Sequence, residues 1–449
     1  MKPMQFEVSD TEEFLVSHSG LALVGALIQR GDLASRVNAV DAGHRREPAV
    51  SHADVVSSMV GLLCLAKPDF TRIQEFQDDE FFLRSLGLTT IPSEATLRQR
   101  LDELGSTECG LIAMEEAVAI VARHAPLVSA CLGNFVALDV DVTAFDNSDT
   151  KKEGVSRTYQ KVDGYAPIFA YVGEEGYLVD CELREGRQHS QRGTPEFLRR
   201  AIKQAKRVLG GTQRLVVRLD AGFDAETTLR ACRLEKVDWI IKRNIRQESP
   251  EEWEEIAQAH GEYSQPREGK EVYVGSTWID REGRGQRVIF EVERRTIDEN
   301  GQPLLLPDVE IATYWTSLKL APTEIIDLYR QHATSEQFHS EIKTDLDLER
   351  LPSGKFATNA LILSLGAMAY NLLRLCGQEA LRRDRRLPPA QRMPVRKKGH
   401  RRRLRQVIQD LVYMASRLIR HARRLGIRFW SGNRWRVVWK AVYAAFTAA

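Results

Sequence analysis

Apolar and polar positions change rhythm four times along this chain. To about Leu127 the pattern is helical. Ser51–Leu65 repeats apolar residues at helical spacing, and Ser93 ahead of Glu94-Ala95-Thr96-Leu97 reads as the N-cap of another helix. Leu86–Leu104 reads either as a helix-turn-helix, whose second helix presents Arg98, Gln99 and Arg100, or as an ordinary solvated helix face. From Asn134 to Asn244 strand and helix patterns alternate. Phe135–Val142, Ala166–Val172, Tyr177–Leu183, Leu215–Asp220 and Val237–Lys242 read as strands, and Pro195–Leu209 and Ala225–Glu235 as helices. Three strands, a helix, a strand, a helix and a strand make a mixed α/β sheet.

The rhythm changes again from about Arg246 to Thr316. Glu271–Val274, Arg287–Val292 and Glu310–Trp315 read as strands joined by Gly-containing turns, a small antiparallel β insertion. Pro322–Glu349 and Phe356–Cys376 then read as long helices. A basic linker, Arg382–His400, holds Pro388, Pro389 and Pro394, and Leu404–Leu425 and Phe429–Phe446 read as two further helices. The segments divide the chain at 1–130, 131–245, 246–316, 317–380 and 381–449.

Composition narrows the class. With 449 residues, 43% hydrophobic and 28% charged, the chain is globular, and full-length disorder or a fibrous repeat is excluded. The formal net charge of +2 conceals an asymmetry: Arg382–Lys440 holds 20 Lys/Arg against two acids, a net +18, and the rest carries −16. An acidic body with a basic tail points to nucleic acid or an anionic surface. Arg401, Arg402, Arg403 and Arg405, near Trp430, Trp435 and Trp439, read as DNA-phosphate contacts, since arginines spread over several helix faces do not suit a simple amphipathic membrane helix. No two of the six cysteines lie closer than 22 positions, so there is no Cys-x-x-Cys motif, and reduced thiols are expected. Met1–Asp10 lacks the basic and apolar runs of a signal peptide. Phe356–Leu373 is apolar enough to raise the question of a membrane span, but Asn359 and Asn371 favour a buried helix.

Three carboxylate positions stand out. Asp139 and Asp141 share one face of a strand. Asp220 ends another, and Gly222 lets the chain turn there. On the helix after the insertion, Tyr329, His332, Glu336 and Lys343 fall at offsets 0, 3, 7 and 14, one stripe at ~100° per residue. Acids at strand ends of an open α/β sheet are costly unless paired or metal-bound. Three acids, on the sheet and on the helix that follows, suit two divalent cations of the kind that activate the attacking oxygen and stabilise the leaving oxygen of a phosphodiester. With the basic tail gripping a phosphate backbone, these features converge on phosphoryl transfer on DNA.

These residues resemble the DDE transposases of bacterial insertion sequences, in the branch with a β-strand insertion and a Tyr-Arg-Glu-Lys signature. The first-acid motif, Asp-x-Thr, is matched by Asp141-Val142-Thr143, with Asp139 as the alternative, and the second, Asp-x-Gly-Phe, by Asp220-Ala221-Gly222-Phe223. Tyr329, Glu336 and Lys343 stand at the third motif's spacing, but His332 occupies the place of its Arg. A protonated His332 could grip the DNA phosphate in its stead, and activity would then fall as pH rises through its titration. The resemblance implies an RNase H-like mixed sheet interrupted by the insertion, with helical N- and C-terminal regions. It implies two Mg²⁺ ions, with Mn²⁺ able to substitute, on catalytic Asp141, Asp220 and Glu336, and Tyr329, His332 and Lys343 on DNA near the scissile phosphate.

It further implies end nicking, a DNA hairpin intermediate, strand transfer, and a tryptophan stacked on a flipped base. Trp253, Trp278 and Trp315 are the candidates, Trp278 foremost. The partners implied are double-stranded DNA, as terminal inverted repeats and target, and a second copy of the chain on DNA, with no membrane. The location implied is the cytoplasm of a bacterium, at the nucleoid. Arg243 and Lys242 close a strand where they could reach phosphate, and Arg157, Lys161 and Lys151-Lys152 lie in the loop after the first acid. Glu336-x-x-His339 has di-iron spacing, but no second such pair exists, so His339 reads as a packing or surface histidine. The rival readings are a catalytically idle DNA-binding relic and a host nuclease on the same core.

Overall fold

The computed structural model describes residues 4–43, 48–124, 128–211, 213–245, 248–298, 300–394, 399–422 and 424–448. Residues 395–398 of the basic linker lie outside the described residues. By contacts the chain divides into two units, one formed by residues 102–371 and the other by residues 1–101 with 372–449. The five sequence segments are thus gathered into two.

The larger unit is built on Phe135–Val142 (β1). Its first six residues are buried on both faces, as the centre of a covered sheet requires. Ile168–Val172 (β2) pairs antiparallel with β1, and Tyr177–Glu182 (β3) antiparallel with β2. The helix Thr194–Leu209, with Pro195 in its first turn and Gly210 in the left-handed region after it, leads into Arg214–Leu219 (β4), parallel to β1. The helix Glu226–Leu234 leads into Asp238–Lys242 (β5), parallel to β4. The order β3-β2-β1-β4-β5 is the mixed sheet that the sequence pattern predicts.

The insertion is larger than its three predicted strands and is not separate from the sheet. It opens with a helix, Pro250–His260, followed by Gly261–Arg267 (β6), Lys270–Arg281 (β7), Arg284–Ile297 (β8) and Pro303–Thr316 (β9). Thr316 of β9 pairs with Ile240 of β5, so one nine-stranded sheet runs β6-β7-β8-β9-β5-β4-β1-β2-β3. Ile289 and Tyr314 of the insertion share a core with Phe135, Val216 and Ile240 and with Ile325, Ile326 and Leu328 of the following helix.

The predicted long helix Pro322–Glu349 is instead four pieces. Pro322–Arg330 is α-helical, Gln331–Ala333 tightens to a 3₁₀ turn, Thr334–Ser340 is α-helical, and Glu341–Asp345 widens to a π turn. Each change of pitch rotates the residues beyond it, which breaks the straight stripe expected of Tyr329, His332, Glu336 and Lys343. The helix Phe356–Asp384 passes from one unit into the other. It is long and apolar enough to cross a membrane, and 89% of its most apolar window is buried inside the protein.

In the second unit both ends of the chain meet. Leu15–Val16 pairs with Ser416–His421 (β10), which pairs with Arg424–Arg428 (β11). The predicted helix Leu404–Leu425 therefore stops at Val412. Beyond it, Leu418 faces Ile427 and Ile419 faces Gly426 across the hairpin, a cross-strand pairing that suits β-branched residues better than a helix does. Ser431-Gly432-Asn433 delays the last helix to Arg436–Thr447. In the candidate helix-turn-helix, Ser93 caps Glu94–Leu104 through a 3.2 Å bond from the Thr96 amide, and Arg98 is exposed, but Arg100 is buried 2.7 Å from His52.

Candidate active site

Two of the three acids meet by strand register alone. The parallel pair β1/β4 aligns Phe135 with Arg214 and Asp139 with Arg218. Two residues on, and on the same face, the register brings Asp141 level with Asp220. Asp220 caps the turn Ala221–Phe223, accepting the Gly222 amide at 3.0 Å. Glu336 comes from the helix Thr334–Ser340, which approaches the sheet closely at the β2–β3 turn. There Gly176, at φ +68°, lies where a Cβ would meet the Phe338 ring at 2.3 Å.

Asp141, Asp220 and Glu336 line one open cleft of about 1010 Å³, together with Lys343, His339, Arg157, Tyr159, Arg187 and Glu349. Lys343 is held on its wall by the Ala144 carbonyl and the Glu349 carboxylate, each at 2.8 Å.

Directly beneath the acids is a buried ion cluster. Arg218 donates to both oxygens of Asp139 at 2.6 and 2.7 Å, and to the Leu328 carbonyl at 2.6 Å. His332 Nδ1 lies 2.8 Å from Asp139 Oδ1. Asp139, Arg218 and His332 are only 2, 4 and 7% exposed. Burial raises the Asp139 carboxyl, but the charges of Arg218 and His332 outweigh it and hold the group at about 2. Asp139 is therefore committed to the cluster, and Asp141 is the acid on the cleft.

The same contacts correct the reading of His332. It is buried against Asp139, on the same face of the sheet as Asp141, and does not line the cleft, so it is not placed to grip a phosphate, and the expected fall of activity with its titration loses its basis. Its pKa is nonetheless raised: burial works against its charge, and Asp139 and then Asp141 outweigh this. A raised histidine stabilises the fold fully below its unfolded pKa of about 6.5, and the contribution is lost as pH rises through the folded value. The stability gap between wild type and His332→Gln is expected to narrow from pH 6.5 upward, as read by urea denaturation at each pH. A gap independent of pH would rule this out.

The remaining predicted residues divide clearly. Tyr329 packs against Tyr314 and His332, with ring centroids at 4.7 and 5.7 Å, and does not line the cleft. Burial first, then the charge of Asp220, pushes its phenol up. Arg243 is buried between the Trp253 and Trp315 rings, with Nη1 2.6 Å from Glu248, so it is a structural ion pair and not a DNA contact. Trp253 and Trp315 are buried as well, their indole N–H groups bonded to Glu248 and Asp224. Trp278, on β7, is 68% exposed. In the other unit Arg402 is buried, paired with Asp410 and stacked on Trp435, whereas Arg403 and Arg405 are exposed and Arg401 is partly so.

Sequence reasoning missed three features of the site. Arg218 sits within an apolar strand, which itself signals a buried partner. His339 Nδ1 lies 4.0 Å from Asp141 Oδ2, and its Nε2 is buried without a hydrogen-bond partner. Burial, then the charges of His332 and Lys343, holds its pKa down at about 3, so the ring is neutral. Tyr159 and Arg187 also line the cleft, and nothing in their loops marked them.

The carboxylates suit a divalent cation. Burial pushes Asp141 up to about 7, against the opposing charge of His332 and with the added charge of Asp220, the mark of negative charge not fully balanced by its neighbours. Among the described residues no three His, Cys, Asp or Glu side chains form a ready-made metal cage. Mg²⁺ does not require one, since it takes one or two carboxylates and completes its shell with water and phosphate oxygens.

An open acidic cleft on a mixed sheet, rimmed by lysine and arginine, is the setting for metal-assisted cleavage of a phosphodiester. The sequence matches the family described as "Transposase DDE domain group 1" over residues 2–448, and the chain belongs to that family. The cryo-EM structure of a piggyBac transposase synaptic complex with hairpin DNA is similar over 80% of this chain and 75% of that one, at 11% identity and a TM-score of 0.39. No curated protein matches the sequence.

Proposed function

We propose that this transposase moves its own element by cut-and-paste transposition: nicking at the element ends, hairpin formation and opening, and strand transfer into target DNA. The observation that carries the reading is the gathering of Asp141, Asp220 and Glu336 with Lys343 in one open cleft. In this reading Asp141, Asp220 and Glu336 hold two divalent cations, Mg²⁺ foremost. Such a pair supplies activation of the attacking oxygen and stabilisation of the leaving one. Lys343, its ammonium held by the Ala144 carbonyl and Glu349, places positive charge beside the scissile phosphate. Trp278 offers an exposed face to a flipped base. Arg401, Arg403 and Arg405 track the phosphate backbone, and two copies of the chain bring two ends together.

The test is excision of a marker placed between the DNA flanks of the gene, in Mg²⁺, by wild type and Glu336→Gln. Excision by the wild type alone is expected. Equal excision by both would remove Glu336 from the site. End binding without excision by either would leave a binding-only relic, and nicking without transfer of a precut end would leave a nuclease.

A further inference from the structure

We infer that Tyr159 is a stacking platform for the nucleobase next to the scissile phosphate, with Arg157 and Arg187 taking the flanking phosphates. The inference rests on the DNA-cleaving reading of the cleft. An exposed tyrosine on a loop is ordinarily mobile, yet this ring, 62% exposed, stands on a fixed mount. Its hydroxyl donates to the Val142 carbonyl at 3.0 Å, one residue past Asp141. Its turn is closed by bonds from the Thr158 amide to Val162 and from the Lys161 amide to Thr158, at 2.9 and 3.0 Å. A second loop is clamped against the first. A Cβ on Gly186 would meet the Ser156 and Gly164 carbonyl oxygens at 2.1 and 2.4 Å, and the Arg187 amide donates to Ser156 Oγ at 3.0 Å. The ring therefore keeps a set distance from the acids.

The two arginines beside it are well exposed. Among the described residues Arg157 and Arg187 pair with exposed carboxylates, Asp163 at 3.5 Å and Glu185 at 3.1 Å. Such pairs are weak, so exchanging the carboxylate for a phosphate costs little. A rigid aromatic face between backbone-tracking cations is a chemistry that holds unpaired bases with little regard to sequence. Strand opening at a cut end would supply such a base.

Duplexes from the DNA flanking the gene, carrying 5-iodouracil at successive positions around the junction, are irradiated with full-length protein. Crosslinking at one position, mapped by mass spectrometry to Tyr159, is expected; crosslinks that map elsewhere overturn the inference. On that duplex Tyr159→Ala should slow cleavage about tenfold or more, and Tyr159→Phe, which keeps the ring but frees it, should slow it less. An abasic residue at the crosslinked position should slow the wild type by the same factor and leave Tyr159→Ala no slower. Slowdowns that multiply overturn the inference. A wild type that crosslinks at Tyr159 but never cuts would sink the transposition reading and leave the base platform standing.

Discussion

Asp220→Asn is expected to bind DNA ends as the wild type does and to cut them more than about 100-fold more slowly. Removing a partner one step behind a metal ligand already costs 10–100-fold, so a lost ligand costs more. The fold should survive, because an asparagine oxygen can still accept the Gly222 amide that Asp220 accepts at 3.0 Å. What disappears is the charge. That charge adds to burial in pushing the Asp141 carboxyl up to about 7 against the opposing charge of His332, so its removal relaxes Asp141 toward its ordinary range. A carboxyl whose folded pKa is raised destabilises the fold above its unfolded value near 3.9. Two opposite readings should therefore come from one protein. In EDTA at pH 7 its melting temperature rises above wild type, and the further rise that Mg²⁺ gives the wild type is lost. Cleavage within about tenfold of wild type would take Asp220 out of the metal site.

The sheet was legible because its signals are local and redundant. Phe135–Val142 and Tyr177–Glu182 are dense in β-branched, aromatic and apolar residues, and Pro195 and Gly210 bracket the helix between β3 and β4. The helix Pro250–His260 carried an equally plain signal, a capping box in which Ser249 and Glu252 exchange bonds, but the surrounding strand-rich segment masked it. The acids could be read because motif spacing and strand ends coincide. The direction of His332 could not, because it depends on the change of helix pitch at Gln331–Ala333, which periodicity at 3.6 residues does not register. Arg243 and Arg402 show the other limit. A basic residue near a strand or helix end looks the same in sequence whether it reaches DNA or closes over Trp253 or Trp435. The hairpin of β10 and β11 was missed because its arginine content outweighed its cross-strand apolar pairs.

Asp139→Ala is expected to destabilise the protein by about 3–5 kcal/mol, the cost of leaving a buried charge without its partner. Here the stranded charge is Arg218, which is sealed from water, while His332 loses the carboxylate that chiefly holds its pKa up against burial. The cluster also ties separate elements together. Asp139 belongs to β1 and Arg218 to β4, while the Leu328 carbonyl lies just before, and His332 within, the pitch change that precedes Glu336. If the cluster acts through charge pairing, replacing all three at once by Leu, Met and Leu removes the stranded charge. The triple variant should then be more stable than Asp139→Ala, as measured by urea denaturation. If it acts only as filler, the losses should simply add. Catalysis separates from stability in the same set. Mg²⁺ should still raise the melting temperature of the triple variant, because Asp141 and Asp220 keep their strand register. Its cleavage should nevertheless stay well below wild type, because the segment leading into the helix of Glu336 loses its ties from Leu328 and His332 to Arg218 and Asp139. Full cleavage by a stable triple variant would show that the register of β1 and β4 positions the site without the cluster.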